Sequence, residues 1–185
     1  MKIAYIIFDG ITWLDLIGFY DPVSRLKSMG YLKDLEWEFC ARTKMASDHF
    51  GLSIVATRVN EPLDGFDVLV IPGGYGTRQL VHDQEFLDWI RTAGSAKYKI
   101  SICTGSLILG AAGFLKGLKA TTHFAEYETL KLFCKEVIAE RIVEDNNIIT
   151  AGAVTSGIDL GLYLCEKWSG AAAASAIRGR MDYRG

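Results

Sequence analysis

The chain has 185 residues, of which 50% are hydrophobic, and its formal net charge is -2 at neutral pH. It contains 19 glycines and only 3 prolines, a composition typical of a compact globular protein and not of a disordered or collagen-like chain. The length favours a single domain over residues 1–185. We expect no nucleic-acid partner, because a weakly acidic chain without a basic stripe offers little to a phosphate backbone.

Apolar runs alternate with helical patterns along the first two thirds of the chain. Strands are predicted at residues 2–8, 36–41, 53–58, 67–71 and 98–102, and helices at 13–29, 83–96 and 106–115. The strand at 53–58 is expected at an edge or in a hairpin. Within the strand at 67–71, residues 68–71 are apolar throughout and are bounded by Asp67 and Pro72, as is typical of a central parallel strand.

The last third of the chain continues the pattern. A short segment is predicted at 120–123, a helix at 125–133, a hairpin from 141–143 and 147–150, a helix capped by Thr155 at 155–168, and a helix at 171–183. The whole alternation predicts an α/β, doubly wound, mostly parallel sheet with helices on both faces. Ligands bind such folds at the carboxyl ends of the strands, where Pro72-Gly73-Gly74 and Cys103 lie.

Targeting and metal-binding signals are missing from the sequence. Residues 1–8 are apolar after one lysine but end at Asp9-Gly10 without a small-residue cleavage site, which indicates a buried strand and not a signal peptide. No segment reaches the roughly 18 uncharged apolar residues of a membrane span. The four cysteines are scattered and form no C-x-x-C pair: Cys40, Cys103, Cys134 and Cys165. We therefore expect a cytoplasmic protein with free thiols, no membrane partner and no metal.

Cys103 is the first candidate for chemistry. It lies where the strand at 98–102 ends and the small residues Thr104-Gly105-Ser106 lead into a helix. Unpaired N–H groups and the dipole of a helix N-terminus stabilise an anion, which predicts a thiol pKa lowered from about 8.5 toward neutrality. The other three cysteines are interpreted as small buried hydrophobic residues.

The glycines after the strand at 67–71 are candidates for stabilising developing negative charge. Gly73 and Gly74 allow close approach of backbone N–H groups to a ligand, so this turn is placed to form half of an oxyanion hole. The N–H of Thr104 is placed to form the other half. The alternative is that Pro72-Gly73-Gly74 is only a tight turn and Thr104 only a helix cap.

Asp15 is the candidate acid, because a carboxylate between two leucines near a helix start needs a partner. Burial beside a thiolate predicts a raised pKa, so that Asp15 holds a proton and acts as a general acid. The alternative is a carboxylate that only favours the helix start. Asp9 precedes a glycine and is interpreted as a turn former, whereas Asp21 precedes Pro22 and is predicted to lie solvated in a kink.

Histidine is the usual partner of a cysteine nucleophile, and the chain has three: His49, His82 and His123. The first two lie in polar stretches and are predicted to be solvated. His123 follows the apolar segment 120–122, so a pair with Cys103 is one hypothesis, but a structural histidine is the preferred interpretation. Asp159 is interpreted as favouring the start of its helix, not as catalytic.

Six motifs occur in an order that points to a known family. They are Leu14-Asp15-Leu16-Ile17-Gly18, Ile71-Pro72-Gly73-Gly74, Ser101-Ile102-Cys103-Thr104-Gly105-Ser106-Leu107, Gly110-Ala111-Ala112-Gly113, Ala120-Thr121-Thr122-His123 and Gly157-Ile158-Asp159. On these motifs the chain resembles the ThiJ/PfpI superfamily and is most similar to its isocyanide hydratases. The resemblance implies a flavodoxin-like fold, a homodimer, no cofactor, and a small-molecule substrate. It also implies Cys103 as nucleophile, with Asp15 as its acidic partner and Thr104 beside both.

The activity implied by the resemblance is hydration of an isocyanide to an N-formamide through a thioimidate on Cys103. In it, Thr104 orients Asp15 by its hydroxyl and supports the anion by its N–H. Thr104 stands where peptidase-like members carry histidine, which argues against proteolysis. Phe19 stands where the hydratases carry proline and, with Tyr20, is expected to alter the pocket mouth and the substrate choice.

Three alternatives to this activity stay open. The first is a glyoxalase-type enzyme acting on α-oxoaldehydes, and the second is a non-catalytic redox or ligand sensor that uses the same cysteine. Among such sensors, regulators with a similar elbow carry an additional DNA-binding domain, for which we expect no room in a chain that ends at Gly185. The third alternative is a purely structural protein, in which Cys103 would be sealed from solvent.

Overall fold

The computed structural model describes residues 1–185, which fold into a central sheet packed with helices. The strands are β1 Lys2–Ile6, β2 Glu36–Ala41, β3 Met45–Ser47, β4 Ser53–Val55, β5 Arg58–Val59, β6 Val68–Ile71, β7 Tyr98–Ile102, β8 Lys119–Ala120, β9 Glu136–Val137, β10 Ile142–Asp145 and β11 Ile148–Ala151. The helices are α1 Trp13–Ser28, α2 Thr77–Leu80, α3 Gln84–Arg91, α4 Gly105–Ala111, α5 Tyr127–Leu130, α6 Ser156–Ser169 and α7 Ala171–Arg180, with 3₁₀ turns at Thr92–Ser95 and Phe124–Glu126.

The central sheet has seven strands in the order β10-β11-β7-β6-β1-β2-β5. All neighbours are parallel except the β10–β11 pair, which is antiparallel. This confirms the predicted fold class and the hairpin near the end of the chain. β6 is the middle strand, and all its residues are buried, as its continuous apolar run predicts. Ile71 of β6 lies opposite Ser101 of β7, so the segments that follow these two strands meet at one edge.

Helix α1 is held tightly against α6. A Cβ on Gly161 of α6 would lie 2.4 Å from Cγ of Pro22, so glycine is required for this approach. Pro22 lies inside α1 without ending it, so the helix is not broken at these residues, and Asp21 is partly exposed and pairs with Arg25 at 3.0 Å. The contact places the first turn of α1, which carries Asp15, beside the start of α6.

Several predicted elements differ from those observed. The helix expected at 125–133 is reduced to a 3₁₀ turn and the short α5, and the segment 53–58 is divided between β4, which pairs with β3, and the edge strand β5. The short β3, β9 and α2 have no counterpart in the prediction. Thr155 precedes α6, but its side chain makes no capping bond and instead accepts from Arg141. None of the helices combines the length and the apolar character that crossing a lipid bilayer requires.

Candidate active site

Cys103 lies at a sharp turn between β7 and α4. Its φ of 55° is in the left-handed region that non-glycine residues rarely adopt. The turn is braced on both sides. The Cys103 N–H donates to the carbonyls of Ala151 (3.0 Å) and Gly152 (2.8 Å), and a Cβ on Gly105 would lie 2.1 Å from the carbonyl oxygen of Ile71. This strand, turn and helix have the geometry of a nucleophile elbow.

The elbow opens on a cleft of about 230 Å³. Its walls are formed by Thr12, Gly74, Tyr75, Arg78, Cys103, Thr104, His123 and Val154. Cys103 is 6% exposed, so it is well covered but not sealed from the cleft. The cleft is smaller than the 300–1,000 Å³ typical of sites for drug-sized ligands and fits a small molecule.

Asp15 is fully buried, as expected. Its Oδ2 accepts the N–H of Gly73 at 2.9 Å, whereas its Oδ1 is buried and has no hydrogen-bond partner. Burial raises the pKa of this carboxyl from 3.8 to about 7, and the Gly73 N–H and the Cys103 thiol only partly offset that effect. Near neutral pH Asp15 is therefore present in both its protonated and its ionised form, so it can donate a proton or accept one.

The thiol of Cys103 does not follow the prediction of a lowered pKa. Burial, and then the carboxylate of Asp15, raise the pKa of Cys103 to about 12. The N–H groups of Thr104 and Val154 act in the opposite direction but are outweighed. Because a proton on Asp15 removes the repulsion, the two groups titrate as a pair, and the thiolate is favoured when Asp15 is neutral.

The two glycine amides have partners that differ from those expected. The N–H of Gly73 donates to Asp15, and the N–H of Gly74 donates to Thr104 Oγ1 at 3.0 Å. Neither is a free donor, so the expected half of an oxyanion hole is not available in this structure. A Cβ on Gly73 would lie 2.6 Å from Thr104 N and 2.8 Å from Asp15 Oδ2. Glycine is required at position 73 because the Asp15 carboxyl, the Thr104 hydroxyl and the Thr104 N–H occupy the space that a Cβ would need.

Thr104 is held by the β6–α2 turn and not by Asp15. Besides accepting from Gly74, its hydroxyl lies 3.2 Å from the Gly74 carbonyl and 3.0 Å from Thr77 Oγ1. The expectation that this hydroxyl orients Asp15 is therefore wrong, and the Gly73 N–H has that role. The N–H of Thr104 lies at the Cys103 thiol, and its service as an oxyanion donor stays a prediction.

Thr77 is a site residue that the sequence analysis missed. It is fully buried in α2, and its hydroxyl also bonds to the Gly74 carbonyl at 2.8 Å. It belongs to a helix of only four residues in a stretch without apolar periodicity, so no local signal marks it.

The histidines do not form a dyad with the cysteine. His123 lines the cleft, but its Nδ1 accepts the N–H of Ala125 at 3.2 Å and its ring stacks on Phe124, with centroids 4.3 Å apart. The structural interpretation of His123 is thus the better one. His49 packs against the outer side of Tyr75, with centroids 5.3 Å apart. No three His, Cys, Asp or Glu side chains are grouped to hold a metal ion.

The mouth of the cleft is formed by Tyr75 and Arg78. The guanidinium of Arg78 lies 5.2 Å from the Tyr75 ring and pairs with Glu126 at 2.6 Å. The expectation that Phe19 alters the mouth is wrong, because Phe19 is fully buried in the core. Tyr20 likewise packs in an aromatic cluster away from the cleft.

Comparison with known proteins places this geometry in a family. Residues 1–167 match the DJ-1/PfpI family. The isonitrile hydratase of Pseudomonas putida is 35% identical over 184 residues, which are 99% of this chain and 78% of that protein. A ThiJ/PfpI family protein from Pseudomonas syringae superposes with a TM-score of 0.89 at 34% identity, covering 100% of this chain and 75% of that one. DJ-1beta of Drosophila melanogaster shares the fold, with a TM-score of 0.84 at 18% identity and coverage of 100% and 98%. The protein therefore belongs to the DJ-1/PfpI family.

Proposed function

We propose that the protein is a cysteine-dependent hydratase that adds water to an isocyanide and yields an N-formamide. The observation that carries the proposal is the pair formed by Cys103 in its elbow and the buried Asp15, whose pKa burial raises to about 7. A nucleophile beside an acid that is neutral at working pH suits an addition in which carbon gains both a sulfur and a proton.

The first step forms a covalent intermediate. The Cys103 thiolate attacks the terminal carbon of R–N≡C, and neutral Asp15 donates its proton to that carbon. The product is a thioimidate, R–N=CH–S–Cys103, and Asp15 becomes a carboxylate. Because burial raises the pKa of the resting thiol to about 12, the thiolate forms only as Asp15 takes up the thiol proton, and the N–H groups of Thr104 and Val154 then support it.

The second step releases the product. The Asp15 carboxylate takes a proton from water as the hydroxide adds to the thioimidate carbon, and it passes that proton to the nitrogen. The tetrahedral adduct then expels the Cys103 thiolate, its hydroxyl proton returns to Asp15, and R–NH–CHO leaves. The overall reaction adds one water molecule to the isocyanide without net oxidation or reduction, so no electron donor or acceptor takes part in it.

Two further features support the proposal. The cleft is small and Cys103 is only 6% exposed within it, which protects a thioimidate from side reactions. The second is that the isonitrile hydratase of Pseudomonas putida matches almost the whole of this chain.

The test is direct. An aryl isocyanide is added to the wild-type protein, to Cys103→Ala and to Asp15→Asn, and formamide is followed by chromatography. Cys134→Ser serves as the matched control, because Cys134 is a free, half-buried cysteine outside the cleft. We expect turnover by wild type and control and none by the two site variants.

Other outcomes separate the alternatives. Wild-type protein that leaves isocyanides untouched but consumes methylglyoxal would replace this proposal with a glyoxalase-type activity. Protein that consumes neither, yet oxidises readily at Cys103, would point to a sensor.

We also propose a homodimer. Leu14 and Ile17 on α1 are exposed, and Phe50 on the β3–β4 loop is 96% exposed. The Trp13 indole N–H donates to the Leu52 carbonyl at 2.9 Å, so the loop and the helix form one apolar face. Light scattering after size exclusion should give twice the chain mass, and Phe50→Glu should shift the protein toward monomer.

A further inference from the structure

The turn at residues 152–155, between β11 and α6, forms one wall of the cysteine site. The carbonyl of Gly152 accepts the Cys103 N–H at 2.8 Å, and Val154 lines the cleft with its N–H at the sulfur. The conformation of this turn therefore decides whether an N–H donor faces Cys103. Gly152 has no side chain and Ala153 has only a methyl group, so neither residue does much to fix this conformation.

Arg141 holds this turn from both ends. Its carbonyl accepts the N–H of Gly152 at 3.0 Å. Its guanidinium donates from Nη2 to Thr155 Oγ1 at 3.2 Å and from Nε to the carboxylate of Asp159 in the first turn of α6. The hydroxyl of Tyr183 donates to the other oxygen of Asp159 at 2.8 Å. One arginine thus joins the start of the turn, its end and the helix that follows.

We propose that Arg141 is a positioning residue for Cys103: its guanidinium clamps the end of the 152–155 turn, whose start its carbonyl holds, and so keeps the Val154 N–H on the sulfur. Tyr183, beyond α7, completes the clamp by fixing Asp159. The inference rests on the proposed role of Cys103 as nucleophile. Its readout, the reactivity of the thiol, requires no substrate.

A purely structural role for Arg141 predicts a different pattern. Its side chain is 51% exposed, and exposed ion pairs contribute little to folding stability. We therefore expect variants at this position to fold. A structural role would change only stability, whereas a positioning role changes the chemistry of Cys103.

The experiment measures alkylation of Cys103 by iodoacetamide between pH 7 and 9. Peptide-resolved mass spectrometry separates this thiol from the three other free cysteines. The variants are Arg141→Gln, Arg141→Lys, Thr155→Val and Tyr183→Phe. Arg42→Gln is the matched control, because Arg42 also holds two acceptors, both on Glu85, and does not line the cleft.

We expect Arg141→Gln to slow alkylation about tenfold across this pH range, the effect of losing one hydrogen bond to a charged group. Thr155→Val and Tyr183→Phe should slow it less, Arg141→Lys should recover part of the rate, and Arg42→Gln should match wild type. For substrate turnover, kcat should fall by the same factor with little change in KM.

The proposal is overturned if Arg141→Gln alkylates at the wild-type rate, or if Arg42→Gln slows as much. Should Arg141→Gln fail to fold, Thr155→Val decides, since it keeps the side-chain shape and the pair with Asp159. An unchanged rate in Thr155→Val would then refute the clamp. Slow alkylation in a protein that never hydrates isocyanides would support the clamp and reject the proposed function.

Discussion

Replacing Asp15 by asparagine should make the folded protein progressively more stable relative to wild type as the pH rises from acid to above neutrality. Burial raises the pKa of Asp15 from 3.8 to about 7, so folding favours the neutral carboxyl. Below about pH 3 the group is largely neutral in both folded and unfolded states. As the pH rises toward 7, the unfolded chain loses the proton first and stability falls, and above pH 7 the loss is complete.

The size of the effect follows from the two pKa values. A rise from 3.8 to about 7 corresponds to about 4 kcal/mol of unfolding free energy at 1.36 kcal/mol per pH unit. Asparagine is neutral at every pH, has nearly the same shape, and can accept the Gly73 N–H as Asp15 does. The stability of Asp15→Asn relative to wild type should therefore increase by about 4 kcal/mol between pH 4 and pH 8.

The assay is urea unfolding followed by circular dichroism at a series of pH values. Taking the difference between variant and wild type removes the titration of all groups that the two proteins share. Asp21→Asn is the control on the same helix, since it removes a partly exposed carboxylate paired with Arg25, and such pairs are worth under about 1 kcal/mol. A difference between Asp15→Asn and wild type that stays flat from pH 4 to pH 8 would refute the raised pKa. Asp15 would then not be the proton store that the mechanism needs.

Three further outcomes are expected. In Asp15→Asn, alkylation of Cys103 at pH 8 should be several-fold faster than in wild type, because the carboxylate no longer raises the thiol pKa, although hydration is lost. Thr77→Val should fold, as circular dichroism can verify, but lower kcat about tenfold because the hydroxyl that holds Thr104 is gone; an unchanged kcat would contradict this role. Gly105→Ala should destabilise the protein by about 3 kcal/mol in urea unfolding, because its Cβ would lie 2.1 Å from the carbonyl oxygen that ends β6.

Elements with a complete local pattern could be predicted from the sequence. The apolar runs at 67–71 and 98–102 correspond to β6 and β7, and the hairpin pattern to β10 and β11. Elements too short to show a period could not be predicted. The four residues of α2, for example, are ordered by their contacts with the elbow and not by their own sequence. At 125–133 the periodicity overestimates the helix, which ends at Leu130.

The residues of the candidate site likewise divide into those that the sequence predicts and those that depend on tertiary contacts. Cys103 and Asp15 are visible in the sequence because each stands out locally, one at a strand end before small residues and the other between leucines. The partners of the Gly73 and Gly74 amides depend on distances between α1, the β6–α2 turn and the elbow, which no local pattern contains. The direction of the Cys103 pKa shift depends on burial, which is also set by the tertiary structure. Burial raises the pKa by more than the N–H groups at the start of the short helix α4 lower it.

The hydrogen bonds already made by the Gly73 and Gly74 N–H groups also limit which reactions this cleft can accelerate. Ester and peptide cleavage build charge on a carbonyl oxygen, and enzymes for them keep at least two N–H donors waiting for it. Here the amides of Gly73 and Gly74 are already bonded to Asp15 and Thr104, so an acyl substrate would meet a site with its donors occupied. An isocyanide places its new charge on carbon, where a proton can quench it at once. The hydrogen bond that orients Asp15 and the one that holds Thr104 thus together select against acyl transfer.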